Sequence, residues 1–204
     1  MATPSKENKE LISFNVQNMV YSTDKSTIKP LGYAVGLNLQ RNQETKEIYG
    51  DGKIQTAVVT DKSLSGTLDL TTRDDEFELD LGMLIEAANG QVEVSIPQNI
   101  PVDIGAEVYI MGTDGVKKVK KCWWYNVTVG GASDTYNQTT ETINEANASY
   151  PITVKGIPLK DSTGEAEYKD TKGLGRTAYR YSSVPTDDGY DTFLDSVPVP
   201  KAKA

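Results

Sequence analysis

Five carboxylates crowd one short stretch, Asp74, Asp75, Glu76, Glu78 and Asp80, and oxygen-rich clusters of this kind can hold hard divalent cations. Their spacing matches no calcium-binding loop of the EF-hand type. Acids placed just before an apolar run also suit the first turn of a helix, where they meet the positive end of the dipole, and a solvated helix face is the simpler account. Lys117, Lys118, Lys120 and Lys121, followed by Trp123, Trp124 and Tyr125, combine cations and aromatics as a nucleic-acid surface does. Strand alternation splits these lysines between two faces, which better suits protection of a sheet edge or ion pairs between subunits. Gly173-Leu-Gly175-Arg176 is too short for a phosphate loop.

No constellation for catalysis emerges. The chain has no histidine, so it lacks the usual general base, the commonest metal ligand and the middle member of a Ser/His/Asp or Cys/His arrangement. Its single cysteine, Cys122, has no imidazole to activate it and is expected to be a small apolar residue within a strand. One cysteine makes no intrachain disulfide, and the polar first ten residues offer no export signal or membrane anchor, so an intracellularly made protein is expected. Neither an enzyme nor a metal or cofactor site is expected.

The 204 residues carry 21 Lys and Arg against 29 Asp and Glu, a net charge of −8. That balance disfavours adhesion to nucleic acid, whose affinity comes from clustered positive charge releasing counterions. Val, Ile, Leu and Phe make up roughly a fifth of the chain, enough to build one core. One domain over residues 11–182 is expected, with a flexible N-terminal arm at 1–10 and a flexible or docking C-terminal arm at 183–204.

The elements that would position these groups are mostly strands. Leu11–Val16 and Met19–Tyr21 suggest short strands. Tyr33, Val35, Leu37 and Leu39 alternate onto one face of a strand, and the extended run through Tyr49 ends at Gly50-Asp51-Gly52, a turn signal. Ile54–Thr60 and Ser63–Thr72 follow as strands. Leu64, Gly66, Leu68 and Leu70 share one face of the latter, with Ser65, Thr67, Asp69 and Thr71 on the other.

Thr72-Arg73-Asp74-Asp75 fits a capping box, and the apolar spacing of Phe77, Leu81, Leu84, Ile85 and Ala88 predicts a helix over about 74–89, stopped by Asn89-Gly90. Asp114-Gly115 between Ala106–Met111 and Val116–Val129 predicts a hairpin. In its second strand Lys121, Trp123, Tyr125, Val127 and Val129 share one face, and Lys120, Cys122, Trp124 and Asn126 the other. Ser149–Lys160 and Thr177–Ser182 close the series. The expected fold class is mainly β, a sandwich or partly closed barrel with one flanking helix and extended terminal arms.

In order and character, Val35-Gly36-Leu37-Asn38-Leu39, Ile48-Tyr49-Gly50-Asp51, Ser63-Leu64-Ser65-Gly66-Thr67-Leu68-Asp69-Leu70 and the expected helix from Asp74 to Gly90 resemble the major tail proteins of long non-contractile-tailed bacteriophages. The resemblance implies a structural subunit that self-assembles into stacked, usually six-membered rings, a tube through which DNA passes during ejection. It implies tape-measure, distal-tail and tail-terminator partners, no specific DNA binding and no membrane. It also implies a place in the virion tail after assembly in the host bacterial cytoplasm.

On that resemblance, Glu44, Glu47, Asp61 and Asp69 are the candidate acidic groups at the lumen, where negative charge would let DNA slide. The loop Gly50, Asp51, Gly52 and Lys53, with the N-terminal arm, is the candidate contact between rings. The alternative is a carbohydrate- or protein-binding β-sandwich, an adhesin or virion decoration module, which Trp123, Trp124 and eleven tyrosines would serve if exposed as stacking surfaces.

Overall fold

The computed structural model describes residues 10–50, 53–95, 99–134 and 147–203. In chain order the elements are β1 (Glu10–Ser22), β2 (Lys29–Pro30), β3 (Ala34–Gly50), β4 (Lys53–Leu70), α1 (Asp75–Asp80), β5 (Leu84–Ala87), β6 (Gly90–Glu93), β7 (Val102–Gly112), β8 (Lys117–Val129), β9 (Ser133–Asp134), β10 (Ala148–Val154), β11 (Ile157–Pro158), β12 (Thr177–Ala178) and β13 (Arg180–Ser183). The fold is mainly β, with one helix and no closed barrel among the described residues.

One antiparallel sheet runs β2-β1-β7-β8-β10-β4-β3, with β9 added beside β10. It forks at β8, whose one edge pairs with β7 while the other pairs first with β13, at Lys121–Trp124, and then with β10, at Val127–Val129. The two ends of the path come from one stretch of chain. β2 and β3 are separated only by Leu31-Gly32-Tyr33, and bonds from Leu31 N–H to the Met19 carbonyl and from Thr71 N–H to the Tyr33 carbonyl, both 2.8 Å, carry the ladder across the break. The sheet therefore curls almost onto itself at this end and splays at the other.

The two short strands expected at the start form one strand, β1, whose irregularities fall beside Asn15 and Asn18 at φ 59° and 48°. Asparagine tolerates this left-handed backbone better than most residues, so the strand kinks without ending. Tyr33 also sits at positive φ, 62°, and the register shifts between Ala34 and Gly36. Tyr33 and Val35 are consequently exposed, and only Leu37 and Leu39 of the expected apolar face pack on the core.

The helix is much shorter than the expected 74–89. Asp74, not Thr72, is its N-cap, accepting from the Phe77 N–H at 3.2 Å. Gly82, at φ 66°, ends it in a Schellman arrangement: Gly82 N–H donates to the Leu79 carbonyl and Met83 N–H to the Glu78 carbonyl, at 3.0 and 2.9 Å. The chain then makes a two-stranded ribbon in which Ile85 pairs with Val92 and Ala87 with Gly90. Ala88-Asn89 makes the two-residue turn and Gly90 opens the second strand, so this segment is a hairpin and not a helix stop.

The main core gathers Tyr21, Leu68, Leu70, Ile104, Cys122, Trp124, Val127, Tyr150 and Ile152 inside the curl, and α1 plugs its narrow end. Phe77 of α1 stands edge-on to Tyr21 and Tyr150, with ring centroids 4.8 and 6.0 Å away. A second, smaller core of Trp123, Tyr125 and Phe193 lies on the outer face of β8. Residues of the expected C-terminal arm build it: Trp123 Nε1–H donates to the Phe193 carbonyl at 2.8 Å and the Tyr125 hydroxyl to the Pro198 carbonyl at 2.7 Å. That segment is docked along the body.

The expected face of Trp123, Tyr125, Val127 and Val129 is broken at Asn126, which has φ 52°. Its N–H donates to Asp103 Oδ1 at 2.8 Å, and the pairing with β7 shifts there. This bulge changes the parity of the strand. Trp124 joins Val127 and Val129 in the main core, while Trp123 and Tyr125 face the docked segment. Both tryptophans are buried, Trp123 at 0% and Trp124 at 7% exposure, so these two do not form an exposed stacking pair for a carbohydrate.

Candidate assembly interface

The β3–β4 hairpin is the largest feature that the body does not use. β10 pairs with β4 only from Leu64 to Leu70, and from Asn42 and Ser63 outward the two strands pair only with each other, as far as Gly50 opposite Lys53. Nine residues of β3 and eleven of β4, at about 3.3 Å each, make an arm on the order of 30 Å long. Its β3 residues Arg41–Glu47 are all exposed. Asp51 and Gly52 of the expected inter-ring loop lie outside the described residues, as does the first part of the N-terminal arm. Lys53 is exposed at the foot of β4.

Register sorts the four candidate acids. Leu37, Leu39 and Arg41 stand opposite Leu68, Gly66 and Leu64 on the core side, whereas Asn38, Gln40 and Asn42 stand opposite Thr67, Ser65 and Ser63 on the other. The second face continues across β10 through Ser149 and Thr153 to Thr128 of β8. It is a sheet surface of hydroxyls and amides: Asn42 bonds Ser63 and Ser65 at 3.0 Å each, and Asp69 accepts from Ser149 Oγ at 2.5 Å and Thr67 Oγ1 at 3.3 Å.

Asp69 is the one carboxylate of this face within the stretch paired to β10, and strand alternation extends the same face to Glu44 on the arm. Glu47, three residues further along, falls on the opposite face, where it accepts from the Tyr49 hydroxyl at 2.5 Å and raises that phenol's pKa. The Asp61 side chain lies outside the described residues. The structure thus brings Asp69 and Glu44 to one surface and separates Glu47 from them.

The carboxylates of residues 74–80 form no metal site; among the described residues no cluster of three or more ligating side chains exists. They fasten the helix. Asp74 also accepts from Gly32 N–H at 3.0 Å, and Asp80 takes the Tyr21 hydroxyl at 2.8 Å and Lys29 Nζ at 2.7 Å. Glu78, expected on a solvated face, is fully buried, where Oε1 accepts from Arg73 Nε at 2.9 Å and from the Tyr150 hydroxyl at 2.7 Å. Arg73 also grips Glu93 on β6 and holds that carboxyl below its usual pKa. Burial, then the bond to Glu78, raises the Tyr150 pKa. Sequence spacing hid this role because an acid on a short amphipathic helix ordinarily faces water.

Three of the four lysines of β8 have roles within the fold. Lys117 lies over the Tyr109 ring at 3.4 Å, Lys118 pairs with Asp114 at 2.8 Å, and Lys121 donates to the Tyr190 and Asp191 carbonyls at 3.0 and 2.8 Å. The remaining surface feature is the splayed end of the curl, where β1 and β3 approach without forming a ladder and enclose a groove of about 1000 Å³. Among the described residues the outer β3–β4 arm pairs only within itself and β1 and β3 face each other without a ladder; unpaired strand edges of this kind can accept further strands.

No family model matches the chain, and no curated protein matches it. Among solved structures it is similar to a chain of the sheath–tube complex of an extracellular contractile injection system (PVC) in its extended state, at 14% identity over 67% of this chain and 84% of that one, with a TM-score of 0.36. It is also similar to the Hcp protein, at 7% identity over 57% and 63% with a TM-score of 0.32. A third similar structure is the tube-terminating cap of the anti-feeding prophage, at 10% identity over 75% and 95% with a TM-score of 0.37. At these scores the likenesses carry no weight for function.

Proposed function

We propose that the chain is a structural subunit of a phage-type tail tube, self-assembling into stacked rings, six copies to a ring, whose channel passes DNA during ejection. The observation that carries this reading is the arm of residues 42–63. An isolated two-stranded ribbon is at best marginally stable in water, so this one is built to be covered, and copies of the same chain offer open strand edges to cover it. The polar face of Asn38, Gln40, Ser65, Thr67, Asp69, Ser149 and Thr153 is then the lumen lining. It holds no cation within the stretch paired to β10, and a six-copy ring carries six times −8 charges. Such a wall gives phosphates nothing to displace counterions with, and DNA slides.

On this reading Glu44 joins Asp69 at the lumen, the Gly50–Lys53 turn reaches the next ring, and tape-measure, distal-tail and tail-terminator proteins meet the tube at its core and ends. The siphovirus virion, assembled in the host cytoplasm, is the proposed location. Negative-stain electron microscopy of the concentrated protein, with sedimentation velocity beside it, tests the reading. Rings or hollow tubes are expected. A chain that stays monomeric at every concentration and salt, and that assembles no better than a variant with the arm shortened to Arg41 and Leu64, refutes it.

A further inference from the structure

The groove at the splayed end has a charge that sets it apart from the rest of this acidic chain. Arg41 of β3, Lys120 of β8 and Arg180 of β13 all line it, beside Leu37, Trp124 and Tyr179, and no carboxylate does among the described residues. Arg41 and Arg180 are exposed and Lys120 is half-buried. The opposite charge is concentrated in one segment. Between Arg180 and Lys201 the chain has no basic residue, and Asp187, Asp188, Asp191 and Asp195 fall within nine positions, all exposed.

Strand geometry keeps the two apart in one molecule. Lys120, Cys122 and Trp124 turn to the groove side of β8, while Lys121 and Trp123 turn to the other side and hold the docked segment by its Tyr190, Asp191 and Phe193 carbonyls. Basic groove and acidic segment therefore occupy opposite faces of the same strand.

We infer that the groove receives the acidic segment Asp187–Asp195 of a second copy, and that this is the lateral contact of the assembly. The inference rests on the self-assembly proposed above and adds its interface. Two different surfaces on opposite sides of a subunit make a heterologous, head-to-tail contact, which repeats and closes a ring when its rotation allows. Nucleic acid is the less favoured occupant, because a chain of net charge −8 repels it at every approach to the groove.

Two charge reversals test the contact in the full chain: Arg41→Glu, Lys120→Glu and Arg180→Glu together, and Asp188→Lys, Asp191→Lys and Asp195→Lys together. The second set spares Asp187, which accepts from the Val184 N–H. With circular dichroism and melting confirming the fold, each variant alone is expected to lose association by at least about tenfold in midpoint concentration, and the chain carrying both sets to regain it. Raising NaCl from about 0.05 to about 0.5 M is expected to weaken wild-type association.

A segment-reversed variant that assembles like wild type, or a combined variant that does not recover, overturns the inference while leaving the tube reading intact. If wild type is monomeric throughout, the tube reading fails, and a labelled peptide of residues 184–197 titrated onto the chain reads the contact directly. Binding that Arg41→Glu, Lys120→Glu and Arg180→Glu abolishes supports it. No binding, binding indifferent to those changes, or displacement of that role by an oligonucleotide overturns it.

Discussion

Replacing Gly66 by alanine probes whether the arm is rooted as described. Gly66 lies on β4 between Leu39 of β3 and Ile152 of β10. A Cβ there would stand 1.7 Å from the Asn38 carbonyl oxygen, 2.7 Å from its carbon and 3.0 Å from Leu39 Cα. All three neighbours are backbone, so no side chain can turn aside. Relief requires β3 to part from β4 at the point where Leu37 and Leu39 meet the core, and overpacking a close-packed site typically costs 1–3 kcal/mol. Because backbone must move, the upper end applies, about 3 kcal/mol, which for a chain of this size lowers the melting temperature by roughly 6–12 °C.

Gly131 is the matching control: a Cβ on it meets nothing within 4 Å, and its φ is not in the left-handed region. Gly131→Ala is expected to change stability by less than about 1 kcal/mol, with any change favourable through the unfolded chain. Thermal melts followed by far-ultraviolet circular dichroism measure both. If Gly66→Ala melts within about 2 °C of wild type while Gly131→Ala does the same, β3 does not pack on β4 in this register and the placement of the arm is wrong.

Other changes bear on the helix plug, on buried charge and on the docked segment. Tyr150→Phe removes the hydroxyl that donates to buried Glu78, and a loss of about 1–3 kcal/mol is expected in urea unfolding. Asp103 has its pKa raised by burial, against the N–H of Asn126 and Lys25, which lower it. A raised folded pKa contributes stability at acid pH that is lost as pH rises through it, so Asp103→Asn, which keeps an acceptor, should match or exceed wild-type stability at pH 7 and flatten the loss of stability as pH rises above the ordinary carboxylate range. Asp24, Asp114, Asp161 and Asp170 are shifted the other way by hydrogen bonds, so thermal melts of either protein should fall as pH drops below about 4. Phe193→Ala is expected to cost about 3 kcal/mol and to shift Trp123 emission to the red, since Phe193 closes the small core over that indole.

Alternation made the sheet legible wherever a strand kept its parity. The division of β4 into Leu64, Gly66, Leu68 and Leu70 against Ser65, Thr67, Asp69 could be read from residues alone, and so could the Asp114-Gly115 hairpin, because both depend on local chemistry. The misreadings within the strands share one physical cause. Asn15, Asn18, Tyr33 and Asn126 all adopt positive φ inside or beside strands, and each shifts the register or reverses which side chains face the core. A non-glycine residue gives little warning that it will do so, since its left-handed backbone is stabilised by partners far away in sequence, such as Asp103 for Asn126.

The candidate interface is only half visible in the sequence because its parts meet through tertiary contacts. Composition gave the acidity and turn signals gave the hairpin, but the groove residues Arg41, Lys120 and Arg180 stand on three strands at positions 60 or more apart in sequence, and no window along the chain contains them. The docked C-terminal segment was hidden for a related reason: its apolar contribution is one phenylalanine and a few aliphatics among prolines and aspartates, too sparse to show a period. It stays in place because Trp123, Tyr125 and Lys121 donate to its backbone carbonyls, bonds that ignore side-chain identity along the segment. That arrangement leaves the aspartates exposed, which is what a second copy would need to find them.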